Sequence, residues 1–409
     1  MVNPAERVVF FIPTLEVGGA ERVVVTIVNN LRHWEPVLVL WVNRGSLARE
    51  VRKGVEVYAL SSGRSSGEPG GENRFRTWKT RFRMTLSRLL PGRLAGVVIK
   101  AHRLAKLAHT GRIPILVSFL TMPNVIAIMA KVLFNRRLKV IVNVHDVTSR
   151  ILKHSELKTT ERFLLYWLVR LFYPRADLIV TVAEGVKHDL VQSFGISAAK
   201  IVVVWNPVDI EGIRVRAKEP VEHPWFQDRR GPLIVGVGRL VKLKGFDLLI
   251  RAFAQVPEQL GARLVIVGDG KERPALEELV GDLGLSERVA LLGFQENPWK
   301  YMARADMFVL SSLTEGFPNV LGEALALGVP VLATDCSPGV REYLGDNECG
   351  LLVPPGDVGA LAEGIKRLLS DLDLRARLAE RGRKRVTAFD LPRAVERYEA
   401  LLTGVLQQT

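Results

Sequence analysis

The chain has 409 residues, 48% hydrophobic and 24% charged, which sets aside whole-chain disorder, a collagen-like fibre and a multi-span membrane protein. Two cysteines, Cys336 and Cys349, are too few for a disulfide framework or a four-ligand zinc site, so a reduced cytoplasmic setting is expected. No signal peptide is read at the start. The net charge of +14 is uneven: residues 1–200 carry 31 Lys/Arg against 14 Asp/Glu, residues 201–409 carry 26 against 29. The first half therefore expects an anionic partner: nucleic acid, a membrane surface or a phosphorylated substrate.

In chain order, strands are expected at Val8–Ile12, Val37–Trp41, Val55–Ala59, Ile115–Ser118, Lys139–Asn143, Leu178–Val182 and Ile201–Val204. Helices are expected at Ala20–Leu31 and Thr160–Phe172. Ser61–Asn73, rich in Ser and Gly, reads as a mobile loop. Ile113–Ala130 is an uncharged run of 18 residues, long enough to raise a membrane span. Pro114, Ser118, Pro123 and Asn124 interrupt it, so it reads as strand, loop and helix of a buried sheet.

The second half continues with strands at Leu233–Val237, Arg263–Val267, Val289–Leu292, Met307–Leu310, Val331–Ala333 and Gly350–Val353. Helices are expected at Phe246–Gln255, Glu272–Leu283, Pro318–Leu327 and Gly359–Leu369. Near-continuous apolar strands separated by helices predict α/β architecture with parallel sheets covered on both faces. Thirteen strands are too many for one such sheet, so two doubly wound domains are expected. The boundaries are a first domain at 1–205, a Pro-interrupted linker at 206–231, a second domain at 232–388 and a terminal helix at 389–409 that packs back on the first domain.

Ser311–Ala324 is the most informative segment. It follows a strand, so it lies at the carboxyl edge of the second sheet, where open parallel sheets bind ligands. Pro318 suits the first helical position, leaving the N–H groups of Asn319, Val320 and Leu321 to face an anion. Glu315 and Glu323 flank that helix start. Carboxylates do not bind phosphate, so sugar hydroxyls are their natural targets. A second anion device is Gly236–Gly245, where Arg239 and Lys244 sit in a glycine-flanked loop after a strand. Gly236-Val237-Gly238 does not complete a GxGxxG, because Val241 holds the last position, so a nicotinamide dehydrogenase is disfavoured. In the first domain, Gly18-Gly19 joins a strand to a helix, and His145 ends the strand Lys139–Asn143.

These residues resemble the retaining glycosyltransferases of family 4, which have the GT-B fold: two Rossmann-like domains facing a central cleft. The matches are Gly18-Gly19-Ala20-Glu21-Arg22, Gly238-Arg239 with Lys244-Gly245, Val267-Gly268-Asp269-Gly270, the loop Gly293–Asn297 with Phe294, and Glu315-Gly316-Phe317 with Glu323, the E-x7-E signature. The resemblance implies that Arg239 and Lys244 grip the donor diphosphate and that Glu323 takes the ribose hydroxyls. It places Glu315 beside the donor sugar, with Gly238, Gly268, Gly293, Phe294, Phe317, Asn319, Val320 and Leu321 around the donor. Gly18 and Gly19 close on the diphosphate, and His145 orients the transferred sugar. The implied donor is a UDP-N-acetylhexosamine or UDP-hexose, the acceptor is lipid-linked or a polysaccharide precursor, and no metal or other cofactor is implied. A nucleotide-sugar epimerase or phosphorylase of the same fold, and a nucleic-acid-binding protein, stay open as alternatives. The basic stretch favours the latter less, since it carries no recognised nucleic-acid motif.

From Asn73 to His145 there are 15 Lys/Arg and no carboxylate. Apolar residues spaced near helical period from Phe75 to Leu107, with basic residues including Arg76, Lys79, Arg81 and Arg83, predict two interfacial helices broken at Pro91-Gly92. A peripheral protein on the inner face of the cell membrane is the expectation.

Overall fold

The computed structural model describes residues 6–61, 76–77, 92–154 and 158–407. Two compact units emerge, Met1–Pro207 with Ala394–Thr409, and Val208–Arg393.

The first unit is built on a wholly parallel sheet of β1 (Glu6–Ile12), β2 (Trp34–Val42), β3 (Glu56–Ser61), β4 (Arg76–Thr77), β5 (Ile115–Phe119), β6 (Lys139–Val144), β7 (Leu178–Thr181) and β8 (Ile201–Val203), in the order β4-β3-β2-β1-β5-β6-β7-β8. Val8 to Ile12 are all fully buried, as expected of a strand covered on both faces. The helix Gly19–Asn30 is rich in β-branched residues, which are indifferent helix formers. Its stability comes from packing, because Val23, Val24, Ile27 and Val28 are buried in the core. Ile113–Ala130 folds as β5 followed by the helix Thr121–Met129, so the uncharged run is core. Among the described residues no helix is long and apolar enough to cross a membrane.

A buried polar network threads this core. Ser118 Oγ donates to Asn124 Oδ1 (2.7 Å), and Asn124 Nδ2 donates to the Asn143 carbonyl (2.8 Å). Tyr398, on the helix Leu391–Gln407, donates to Asn143 Oδ1 (2.7 Å). Tyr398, Leu402 and Val405 join the first unit's core. Glu399 accepts from the His33 and Arg32 N–H groups and pairs with His33 Nδ1 at 2.8 Å.

The second unit carries β9 (Leu233–Val237), β10 (Arg263–Val267), β11 (Val289–Leu291), β12 (Met307–Leu310), β13 (Val331–Thr334) and β14 (Leu351–Val353), all parallel, in the order β11-β10-β9-β12-β13-β14. Helices begin with aspartate caps where the chain allows: Asp357 accepts from Ala360 N–H (2.9 Å) and Asp371 from Leu374 N–H (2.8 Å).

Three expectations need correction. The stretch 206–231 is not a linker from Val208 on: it forms the helices Ile210–Arg216 and Pro224–Gln227, and Ile210, Ile213, Val221 and Phe226 are buried in the second unit. Its helices are too short to display a period. The unit boundary near the end falls between Arg393 and Ala394, not at 389. Finally, Arg76-Thr77 pairs with β3 as a strand where a helix was expected. The second expected interfacial helix is Gly92–Thr110, and it turns Ala101, Leu104 and Leu107 into its own unit. Its Lys100 ammonium sits 4.4 Å over the Trp41 ring, and burial lowers its pKa. The loop at 62–73 and the residues Lys79, Arg81 and Arg83 lie outside the described residues.

Candidate active site

In the second sheet the strand order reverses between β9 and β12, and the carboxyl edge at such a reversal is where open parallel sheets bind ligands. The loops are stitched together. Leu313 N–H donates to the Leu243 carbonyl (2.8 Å), and Ser311 Oγ donates to the Lys244 carbonyl (2.9 Å). Gly245 has φ +61, and a Cβ there would stand 2.3 Å from the Ser311 carbonyl oxygen, so only glycine lets the loops meet.

Across this junction Lys244 Nζ meets Glu315 Oε1 at 2.5 Å, and Ser312 Oγ donates to the same oxygen at 2.6 Å. The Lys244 side chain is 23% exposed and that of Glu315 12%. The lysine expected to grip a diphosphate together with Arg239 is therefore paired with the carboxylate expected beside the sugar. Arg239, in the same loop, is exposed. Cys336 is buried near the pair. Burial, and then the Glu315 charge, push its thiol up to about 12, so it stays protonated and inert.

Beside the junction lies a row of backbone without side chains. Gly238 N–H donates to the Val267 carbonyl (3.0 Å), and Gly268 N–H donates to the Gly293 carbonyl (2.8 Å). Gly268 has φ +145, and a Cβ on it would fall 1.9 Å from the Gly238 carbonyl oxygen. Gly238, Gly268 and Gly293 thus form a platform across the ends of β9, β10 and β11. Phe294, the next residue, is 54% exposed. An aromatic ring left in water beside bare backbone is a stacking surface.

The helix Asn319–Leu327 starts one residue later than expected, with Pro318 as its N-cap. Leu321 is buried and its N–H donates to the Pro318 carbonyl (3.0 Å), so it is not a donor for ligand. The helix start is tightened by that bond. Phe317 is also placed differently: it is 6% exposed, its ring 4.2 Å from Tyr343 and 5.9 Å from Phe389. Its side chain anchors the loop in the core and does not face ligand. Glu323 is half-buried on the helix, close enough to add to the rise in the Tyr343 phenol pKa that burial dominates.

In the first unit, Gly18 is the N-cap of Gly19–Asn30, and the Glu21 carboxylate folds over it, 2.2 Å from where a Gly18 Cβ would stand. The preceding loop is pinned by Leu15 N–H to the Arg44 carbonyl (2.8 Å) and by Gly45, φ +122, against the Leu15 backbone. His145 follows β6 at the carboxyl edge, 8% exposed, its ring 5.6 Å from Phe119. Its Nε2 is buried without a hydrogen-bond partner. Burial lowers its pKa to about 4, so the ring is neutral at pH 7 and can exchange a hydrogen bond but not donate a proton as an acid. Leu120, after β5 at the strand-order reversal of this sheet, holds φ +74, ψ 154, a region almost reserved for glycine. Neither Leu120 nor Ser312 is singled out by sequence reasoning, although Ser312 lies in the segment that it marks.

Residues 17–211 match the family described as Glycosyltransferase Family 4, and residues 219–385 match Glycosyl transferases group 1. Over 272 residues, 66% of this chain and 71% of the relative, the sequence is 39% identical to the N-acetylgalactosamine-N,N'-diacetylbacillosaminyl-diphospho-undecaprenol 4-alpha-N-acetylgalactosaminyltransferase of Campylobacter jejuni. It is 27% identical over 312 residues, 75% and 79% of the two chains, to the N-acetyl-alpha-D-glucosaminyl L-malate synthase of Bacillus anthracis. Among solved structures, Anabaena HepE in complex with UDP superposes with TM-score 0.74 at 22% identity, covering 98% and 100% of the two chains. Sucrose-phosphate synthase of Thermosynechococcus elongatus does so with 0.75 at 19%, covering 99% and 100%. These neighbours share the GT-B architecture of two Rossmann-like units. The chain belongs to the glycosyltransferases, with a Family 4 first unit and a group 1 second unit.

Proposed function

We propose that the chain transfers an N-acetylhexosamine or hexose, with retention of configuration, from a UDP-sugar to a lipid-linked acceptor. The observation that carries this reading is the Lys244–Glu315 bridge over the sheet's reversal point, flanked by the glycine platform. The donor's diphosphate replaces Glu315 as the partner of Lys244, and Arg239 supplies the second cation. Glu315, released, accepts from sugar hydroxyls, and Glu323 from those of the ribose. Phe294 stacks on the base, and the platform of Gly238, Gly268 and Gly293 lets the nucleotide lie against backbone.

The chemistry follows from charge. As the nucleoside diphosphate leaves, negative charge grows on its phosphate oxygens, where Arg239, Lys244 and the helix start at Asn319 and Val320 stabilise it. The sugar passes through an oxocarbenium-like state, and the acceptor hydroxyl attacks from the face that the phosphate vacates. That phosphate takes the proton, so the protein needs no base. In the first unit, neutral His145 and the Gly18-Gly19 loop are assigned to the sugar and the diphosphate, and no divalent cation is required. The C. jejuni relative, whose name specifies an undecaprenol-diphosphate acceptor and N-acetylgalactosamine transfer, and HepE, solved with UDP, support this choice of substrates. We also assign the protein to the inner face of the cell membrane.

The test is protection against thermal unfolding by a panel of UDP-sugars, followed by turnover with polyprenyl-diphosphate-linked sugars. UDP release that depends on acceptor, with an α product from an α donor, is expected. UDP release or donor conversion without acceptor overturns the transfer reading in favour of an epimerase or phosphorylase.

A further inference from the structure

The helix Thr159–Phe172 turns the wrong face to water. Phe163, Leu164, Trp167 and Leu171 are 65%, 49%, 48% and 51% exposed, while Val169, on the opposite side, is buried. Positions i, i+1, i+4 and i+8 fall on one side of a helix, so these four form a continuous apolar stripe. Single exposed apolar residues need no explanation, but a stripe of four with two aromatics does.

The stripe has a cationic rim. Arg170 lies over the Trp167 ring at 5.7 Å, and exposed Arg175 closes the helix end. Lys131 bridges to Asp177 at 2.6 Å, and Asp177 also accepts from the Val140 N–H, which fixes the neighbouring turn beside that end. Leu133 and Phe134, at the end of the π-helical Ala130–Phe134, belong to a separate exposed patch, with Phe134 5.0 Å from the His102 ring. The helix holds one carboxylate, Glu161, in its first turn, where it accepts from the Lys158 N–H.

We infer that this stripe is the docking surface of the first unit on an anionic lipid bilayer, with Phe163, Leu164, Trp167 and Leu171 entering the headgroup region and Arg170 and Arg175 meeting lipid phosphates. Charge complementarity selects this occupant. A second copy seated on the same face would bring the two cationic rims together, whereas anionic headgroups satisfy them. Trp and Phe beside arginines suit a boundary that is apolar below and wet above. The inference deepens the lipid-linked-acceptor reading and rests on it for its purpose: the helix belongs to the β6–β7 connection, the same connection that carries His145.

The experiment is flotation of the full chain with vesicles of phosphatidylcholine containing 30% phosphatidylglycerol, without donor or acceptor. Wild type floats at low salt and is partly released at 0.5 M NaCl, because screening shortens the reach of the rim. Phe163→Ser with Trp167→Ser lowers partitioning about a hundredfold, from two half-exposed anchors worth about tenfold each. Arg170→Glu with Arg175→Glu lowers binding to anionic vesicles and leaves the weaker binding to pure phosphatidylcholine unchanged. Both variants keep wild-type thermal midpoints and UDP-sugar protection, which separates docking from folding and from the donor site. Equal flotation of the Phe163/Trp167 variant overturns the inference. So does a wild-type dimer that this variant dissociates, since the stripe would then be a self-interface. Transfer to soluble acceptors without flotation overturns the docking surface and leaves transfer standing; flotation without transfer does the reverse.

Discussion

His145 ties the first unit's stability to pH in a way that a variant isolates. In the folded chain burial holds its pKa at about 4, against 6.5 for an exposed imidazole. A base with a depressed folded pKa is protonated more readily by the unfolded chain, so stability is full above pH 6.5. It falls as pH drops toward 4 and levels off below. pH 5 lies about 1.5 units below the unfolded imidazole's pKa, so that ring is protonated, while the folded ring is still mostly neutral. At 1.36 kcal/mol per unit this costs about 2 kcal/mol relative to pH 7. Urea unfolding at pH 7 and pH 5, on wild type and His145→Asn, isolates the term, because every other titrating group is common to both. Wild type should lose about 2 kcal/mol more than the variant. An NMR titration of the folded ring should give a midpoint near 4. Parallel losses, or a midpoint near 6.5, refute the buried neutral imidazole and, with it, the assignment of His145 as a neutral hydrogen-bonding group.

Four further outcomes follow from the second unit. Arg239→Ala should lower turnover on the order of 10²–10³-fold with an unchanged thermal midpoint, since the residue is exposed. Lys244→Ala should lower turnover as much and also cost about 1–3 kcal/mol by leaving the part-buried Glu315 with Ser312 alone; adding Glu315→Gln should restore stability but not turnover. Gly268→Ala, with φ +145 and a Cβ against the Gly238 carbonyl, should cost at least about 1–3 kcal/mol and abolish UDP protection. Transfer should continue in excess EDTA; activity lost to chelator and restored by Mg²⁺ or Mn²⁺ would refute the charge assignment to Arg239 and Lys244.

Much of the fold was legible because buried parallel strands announce themselves as apolar runs. Each of the thirteen expected strands is present within a few residues, and the two-residue β4 is the addition: Arg76-Thr77 carries no apolar run to read. The strand-end position of the Gly18, Gly238, Gly268, Gly293 and Glu315 segments was legible for the same reason, since knowing where a strand stops locates the carboxyl edge. What spacing does not carry is which groups engage each other before a ligand arrives. Lys244 and Glu315 are 71 residues apart in sequence and 2.5 Å apart in space, and each read alone looks like a free charge. Phe317 likewise reads as a loop residue near ligand, because its partners Tyr343 and Phe389 come from distant segments.

The two amphipathic helices of the first unit show the limit most directly. Periodicity reports which residues share a face; it says nothing about what covers that face. Gly92–Thr110 has basic and apolar residues in the pattern of an interfacial helix, yet Leu104 and Leu107 are buried, because the helix lies over the sheet beside β3. Thr159–Phe172 has a similar pattern and turns Phe163, Trp167 and Leu171 outward. Val169 and Tyr173 are buried on its inner side, where the helix packs on Thr121–Met129, and Asn124 Nδ2 of that helix donates to the Tyr173 hydroxyl at 3.2 Å. The buried polar network around Asn124 and Asn143 thus does more than join the terminal helix to the sheet. It also holds Tyr173, the residue after Thr159–Phe172, and so ties the end of that helix to the core. Tyr173→Phe tests that step: losing the hydroxyl should cost about 1–3 kcal/mol by leaving Asn124 Nδ2 with one partner fewer. If that tie sets the helix's rotation, the accessibility of the exposed Trp167 to quenching by water-soluble iodide should fall in this variant. A stability loss without any change in Trp167 accessibility would show that packing of Val169 alone sets the face.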